Sequence, residues 1–177
     1  SLFDGKTLKG WDGEKTKVWR VQDGVIVGGS LEGNPQNEFL TSKKVYRNFI
    51  LQLEYKLEGT EGFVNGGVPF RSVRIPQPPN EMSGFQADIG AGYSGCLYDE
   101  SRRKKMLSQP AKELIEKAEK PGEWNQYMIR AEEQRIQELT GYQNMDVKTY
   151  QESKDQVANT AAAAPIQMMR ANVLIAG

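Results

Sequence analysis

The sequence predicts an all-β sandwich, and three observations carry that expectation. Two β-rich runs, residues 18–21 and 25–29, are separated by Gln22-Asp23-Gly24, and the Asp-Gly pair is the chemistry of a tight hairpin. Phe49, Leu51, Leu53, Tyr55 and Leu57 alternate with Gln52, Glu54 and Lys56, the period of a half-buried strand. Residues 124–131 alternate again, and residues 135–139 can return beside them as a hairpin partner.

At 177 residues the chain fits one domain, residues 1–177, and is long enough to bury a substantial core. A hydrophobic fraction of 38% with 26% charged residues is ordinary for a globular chain and too polar for a membrane-embedded one. No run approaches the roughly 20 apolar residues that span a bilayer. Lys and Arg number 23, as do Asp and Glu, so no net positive charge draws nucleic acid or an anionic membrane. An uncharged or weakly charged small ligand is the better match. Histidine is absent altogether, which removes Ser-His-Asp and Cys-His relays, His-based zinc sites and imidazole bases from within the chain. Cys96 is the single cysteine, so no intrachain disulfide exists, and it reads as a small strand residue. No EF-hand-type spacing supplies a Ca²⁺ site, and neither a metal nor a cofactor is expected.

Residues 1–11 read as a surface lead-in, with Asp4-Gly5-Lys6 a turn and Leu2, Phe3, Leu8 and Trp11 pinning it to the core. After a polar loop holding Gly33-Asn34-Pro35, residues 38–42 resume as strand, and the long strand at 49–57 follows. Residues 58–62 form a turn. The next strand, 64–71, contains Gly66, Gly67 and Pro69, which predict a bulge or a close backbone approach and an edge position. Pro76, Pro78 and Pro79 make 72–83 a stiff surface loop. Residues 110–120 form the one short surface helix, opened by Pro110 and closed by Pro121-Gly122. Its apolar stripe is Leu114, Ile115 and Ala118, and Glu113/Lys117 and Glu116/Lys120 are its supporting pairs. Past residue 139 the pattern weakens. Residues 146–155 are polar, the tetra-alanine at 161–164 is a low-complexity spacer stopped by Pro165, and 166–169 and 173–175 read as two final strands.

Candidate chemistry concentrates between Phe63 and Leu107. On one strand through residues 84–90, Phe85, Ala87 and Ile89 point to one face while Gln86 and Asp88 point to the other. The run Asn65–Arg71 is expected to lie beside it and to bring Arg71 next to the carboxylate and the amide. If the 49–57 strand flanks the Arg71 strand, Glu54 joins the same polar face; the plainer alternative is a solvated strand face with a cross-strand ion pair. Without histidine, proton transfer falls to carboxylate, Lys, Tyr or water.

Several stretches, taken in order, resemble the 3-keto-disaccharide hydrolase family. They are LFDGKTLKGW at residues 2–11, WRVQDGVI at 19–26, FILQLEYK at 49–56, NGGVPFR at 65–71, GFQADIG at 84–90, GCLYDESRR at 95–103 and GEWN at 122–125. The resemblance implies a concanavalin A-like jelly roll of two antiparallel sheets carrying a carbohydrate site. It also implies an exported bacterial protein, periplasmic or extracellular, although no signal peptide is visible in these residues. The implied reaction cleaves a glycosidic bond whose sugar is oxidised at C3. The 3-keto group acidifies the C2 proton, so Glu54 or Asp88 is the expected base, with Arg71 and Gln86 as the clamp on the enolate. Tyr98 is expected to donate to the leaving oxygen, and Asn65 and Arg102 to contact the sugar. Gly66, Pro69 and Thr140 differ from the family pattern, as does the lack of a late-strand histidine. The alternative expectation is therefore a carbohydrate-binding module without turnover.

Overall fold

The computed structural model describes residues 1–31, 33–59, 64–132, 135–140 and 168–176, the last two runs as backbone alone. Among these residues, twelve strands and one helix follow in this order: β1 Trp11–Asp12, β2 Arg20–Gln22, β3 Val25–Gly28, β4 Thr41–Ser42, β5 Phe49–Glu58, β6 Asn65–Arg74, β7 Met82–Gly90, β8 Leu97–Glu100, β9 Lys105–Ser108, α1 Lys112–Ala118, β10 Asn125–Glu132, β11 Arg135–Thr140 and β12 Met168–Ala176. The β2–β3 hairpin closes at Asp23 and Gly24, whose φ angles of 50° and 79° are those of a turn that needs both central residues left-handed.

The strands assemble into a six-stranded sheet, order β11-β10-β5-β12-β3-β2, and a four-stranded sheet, order β6-β7-β8-β9, with β1 and β4 as a separate ribbon. The two larger sheets form the expected jelly-roll sandwich. Phe49, Leu53 and Tyr55 of β5 and Tyr127, Ile129 and Ala131 of β10 meet Phe70 of β6 and Ala87 and Ile89 of β7 in one buried cluster. Ring contacts lock the layers: Tyr55 and Tyr127 cross edge-to-face at 5.7 Å, and Phe49 meets Phe70 at 6.4 Å and 82°. The Tyr127 hydroxyl reaches across to the other sheet and donates to the Asp88 carbonyl at 3.0 Å. A buried phenol without that acceptor would carry an unmet polar group, so the bond fixes the depth at which β10 sits under β7.

Several local expectations shift. The strand expected at 38–42 is paired only at Thr41–Ser42, which joins β1. Strand β6 runs on to Arg74, so the proline loop is confined to residues 75–81. Its bulge lies between Phe70 and Val73, where Arg71 has φ 48°, and not at Gly66 or Gly67. Pro69 is tolerated because β6 is an edge strand. The helix spans only Lys112–Ala118, with Ala111 as its N-cap. Ile115 is buried, but Leu114 is 62% exposed. The helix ion pair is Lys112–Glu116. Among the described residues one closing strand, β12, stands in place of the two expected, lies between β3 and β5 and runs parallel to both in a sheet otherwise antiparallel. The polar run at 146–155, the tetra-alanine and residues 166–167 fall outside the described residues. Among the described residues, no helix is long and apolar enough to cross a membrane.

Replacing Tyr127 separates the layer contacts. Tyr127→Phe is expected to lower stability by about 1 kcal/mol through the lost hydrogen bond. Tyr127→Ala is expected to lower it by about 3–5 kcal/mol through the cavity between the sheets, both read from urea unfolding midpoints at constant m-value.

Candidate active site

The alternation of β7 divides its residues cleanly. Ala87 and Ile89 lie in the core, with Phe85 packed against it, so Gln86 and Asp88 occupy the opposite face of the four-stranded sheet. Residues paired across strands share a face, so the register completes this wall. Gly67 stands opposite Asp88 and Pro69 opposite Gln86 on β6, with Asn65 opposite Gly90 at the end of the strand. On the other side Tyr98 is opposite Gln86, and Glu100 is opposite Gly84.

Gln86 and Asp88 are only 6% and 9% exposed. The Gln86 amide nitrogen donates to Asp88 Oδ1 at 2.9 Å, which fixes the carboxylate. Gln86 Oε1 is buried and has no partner among the described residues, an acceptor left for something outside this set. Gly67 explains how Gln86 lies flat enough to reach Asp88. A Cβ at position 67 would stand 2.6 Å from both Cγ and Cδ of Gln86, closer than real contacts allow. The glycine therefore serves a side chain on the neighbouring strand, not a backbone bulge.

Burial pushes the Asp88 carboxyl up to about 6; the Gln86 hydrogen bond opposes that rise and the Glu100 charge adds to it. Glu100 is itself raised, by burial first and then by the charge of Glu81, against hydrogen bonds from Ser101 and the charge of Lys104. Burial also raises Tyr98, aided by Glu100, Asp88 and Asp99, so its hydroxyl stays protonated through the neutral range. A carboxylate raised to about 6 beside a protonated phenol can supply a base and an acid on one wall.

The structure separates other expected members of the site. Glu54 is not beside Arg71: β5 pairs with β10 and β12 in the six-stranded sheet, whereas β6 pairs with β7 in the other. The chain changes sheet between Glu58 and Asn65, so the expected neighbourhood of the two strands does not arise, and Glu54 instead accepts from Gln126. Arg71 falls in the β6 bulge and borders a cavity of about 620 Å³ that is also lined by Trp11, Trp19, Tyr46 and Phe70 but not by Gln86 or Asp88. The lining of that cavity is mostly apolar, and its charged members are Asp12, Lys43, Lys44, Arg71 and Arg74. Arg102 is turned away as well. Asp99 precedes Glu100 and so faces the other side of β8, where it is fully buried and bound by Arg102 at 2.9 Å and by Arg103. Burial would raise Asp99, but the hydrogen bonds and charges of Arg102 and Arg103 outweigh it and hold the carboxyl below its ordinary range. The Arg102 guanidinium also lies 4.8 Å from the centre of the Phe85 ring, a packing role. Glu100 was open to discovery from the same period of two that placed Asp88, once β8 was paired with β7.

The chain is thus a two-sheet sandwich with an amide-clamped carboxylate on the outer face of its smaller sheet. Residues 1–172 match the 3-keto-alpha-glucoside-1,2-lyase-like domain, and the chain belongs to that family. A solved structure from Parabacteroides distasonis, described as a "putative glycosyl hydrolase", shares the fold with a TM-score of 0.53 at 21% identity, over 79% of this chain and 67% of that one. A comparison with curated proteins found no match.

Two substitutions test the geometry. The raised pKa means that the native state holds the Asp88 proton more tightly than the unfolded chain does. Rising pH therefore lowers stability between about 4 and 6, and the full penalty remains above that window. Asp88→Asn is expected to gain about 1–2 kcal/mol at pH 7.5 and to lose that advantage below pH 4, measured by thermal unfolding at both values. Gly67→Ala is expected to dislodge Gln86, so that the Asp88 carboxyl, followed by NMR titration, moves away from its wild-type value while the fold persists.

Proposed function

We infer that the chain cleaves the glycosidic bond of a 3-keto-glycoside or 3-keto-disaccharide by proton abstraction at C2, with Asp88 as the base. The observation that carries this reading is the amide-clamped Asp88 carboxylate, raised to about 6 on the face of the smaller sheet. A base near that value is mostly ionised at neutral pH and still basic enough to accept a proton acidified by an adjacent ketone. Family membership supports the choice of a 3-keto sugar. Gln86 Oε1, without a partner among the described residues, suits a sugar hydroxyl, and Asn65 offers an amide at the end of the same wall.

Bonding proceeds in balanced steps. Asp88 takes the C2 proton and the electron pair moves onto the C3 oxygen as an enolate. The enolate collapses, C3 regains its carbonyl, the C1–O bond breaks and a C1–C2 double bond forms. The departing oxygen takes a proton from Tyr98. Addition of water across C1–C2, its hydrogen going to C2 and its hydroxyl to C1, then yields the free 3-keto sugar, while Asp88 releases its proton to solvent and Tyr98 regains one from it. Negative charge leaves Asp88 as it builds on the enolate, so no new net charge appears on a face already rich in carboxylates. With it we propose a periplasmic or extracellular location, where oxidised glycosides are met.

Incubation with a 3-keto-disaccharide, followed by chromatography, tests the assignment. Wild type is expected to release 3-keto sugar with kcat/KM rising through about pH 6, and Asp88→Asn is expected to lower the rate at least ~100-fold. Glu54→Gln is expected to leave the rate unchanged. Binding without release by wild type would favour a carbohydrate-binding module.

A further inference from the structure

The wall that holds Asp88 continues as a line of negative charge. Glu100 lies on the same face of the next strand, at the Gly84 end, with the buried Gln86 amide and Tyr98 between the two carboxylates. Glu81, almost fully buried in the turn before β7, comes close enough to act on Glu100 electrostatically. Its own oxygens are fixed by the Met82 amide at 2.8 Å and by Asn37 Nδ2 at 3.1 Å, so this carboxylate cannot swing away. Behind it, Asn80 and Gln36 hold Glu38 at 3.0 and 3.2 Å.

Cations do not balance this line. Arg102 and Arg103 are committed to Asp99 on the opposite face of β8. Lys104 offsets part of the charge on Glu100, but no ion pair joins Lys, Arg and any of Asp88, Glu100 or Glu81 among the described residues. The ligand-facing character of the wall rests independently on Gln86 Oε1, an acceptor more than nine-tenths buried and without a partner.

We propose that Glu100, backed by Glu81, is a specificity-determining residue that restricts the site to neutral glycosides and rejects those carrying a carboxylate on the sugar or on the leaving group. The inference rests on the function proposed above and names its substrate class. A neutral sugar offers hydroxyl donors to Glu100 and Gln86 Oε1. A uronate brings a further anion beside the carboxylates of Glu100 and Asp88, and at about 4–6 Å in a partly desolvated site such repulsion is worth roughly tenfold or more in affinity.

A matched pair of substrates tests it: a neutral 3-keto-glucoside and its counterpart oxidised to the carboxylate at C6, assayed with wild type and with Glu100→Gln. Wild type is expected to favour the neutral substrate by at least ~10-fold in kcat/KM, and Glu100→Gln to reduce that ratio by roughly five-fold or more. The wild-type ratio is also expected to fall between 20 mM and 500 mM salt, about the range over which screening becomes effective, a readout that needs no variant. Equal turnover of the two substrates by wild type, or a ratio unmoved by both Glu100→Gln and salt, overturns the proposal while leaving Asp88 as base. Turnover of neither substrate overturns the proposed function and this inference with it.

Discussion

The strict alternation of β7 is the constraint on which the rest depends. Ala87 and Ile89 reach into the layer between the sheets, with Phe85 beside them, and the buried cluster is built around them. The same backbone then has no choice about where Gln86 and Asp88 go, because successive side chains point to opposite faces. A slip of one residue would bury the carboxylate in the core and expose the apolar set, so core packing protects the register of the site. Tyr127 reinforces that register by bonding the Asp88 carbonyl from the opposite sheet.

The site is assembled on that rigid strand by small local permissions. Gly67 gives Gln86 the space to lie across the edge strand and hold Asp88. Asp99 shows the converse. One residue from Glu100, it faces the other way and is neutralised by Arg102 and Arg103, so two adjacent acids stand on opposite faces of β8, one bound by arginines and one on the face of Gln86 and Asp88. Burial of Asp88 raises its basicity and lowers stability at neutral pH, and the proton abstraction proposed for it draws on that same basicity.

Period and turn chemistry made much of this legible before any coordinates. The Asp23-Gly24 hairpin, the long β5 strand, the β10–β11 hairpin, the pairing of β6 with β7 and the two faces of β7 all follow from local pattern, and the structure has each of them. What local pattern could not convey was which sheet each strand joins. Glu54 and Arg71 are close in sequence and each stands on a polar strand position, yet their strands belong to different layers because the chain crosses between sheets after Glu58. Gly67 signalled a close approach, and the structure has one, but only the register identifies the approaching group as the Gln86 side chain. The bulge arose instead at Arg71, a residue type that does not advertise a positive φ.

The central claim is that this wall removes a proton from C2, and isotope incorporation reads that step directly. When a neutral 3-keto-disaccharide is cleaved in D₂O, the account expects one deuterium at C2 of the released sugar, well above the enzyme-free rate of exchange, and loss of that incorporation in Asp88→Asn. Release of a sugar that keeps its C2 hydrogen would contradict it, because cleavage would then proceed without the base that the wall is built to hold.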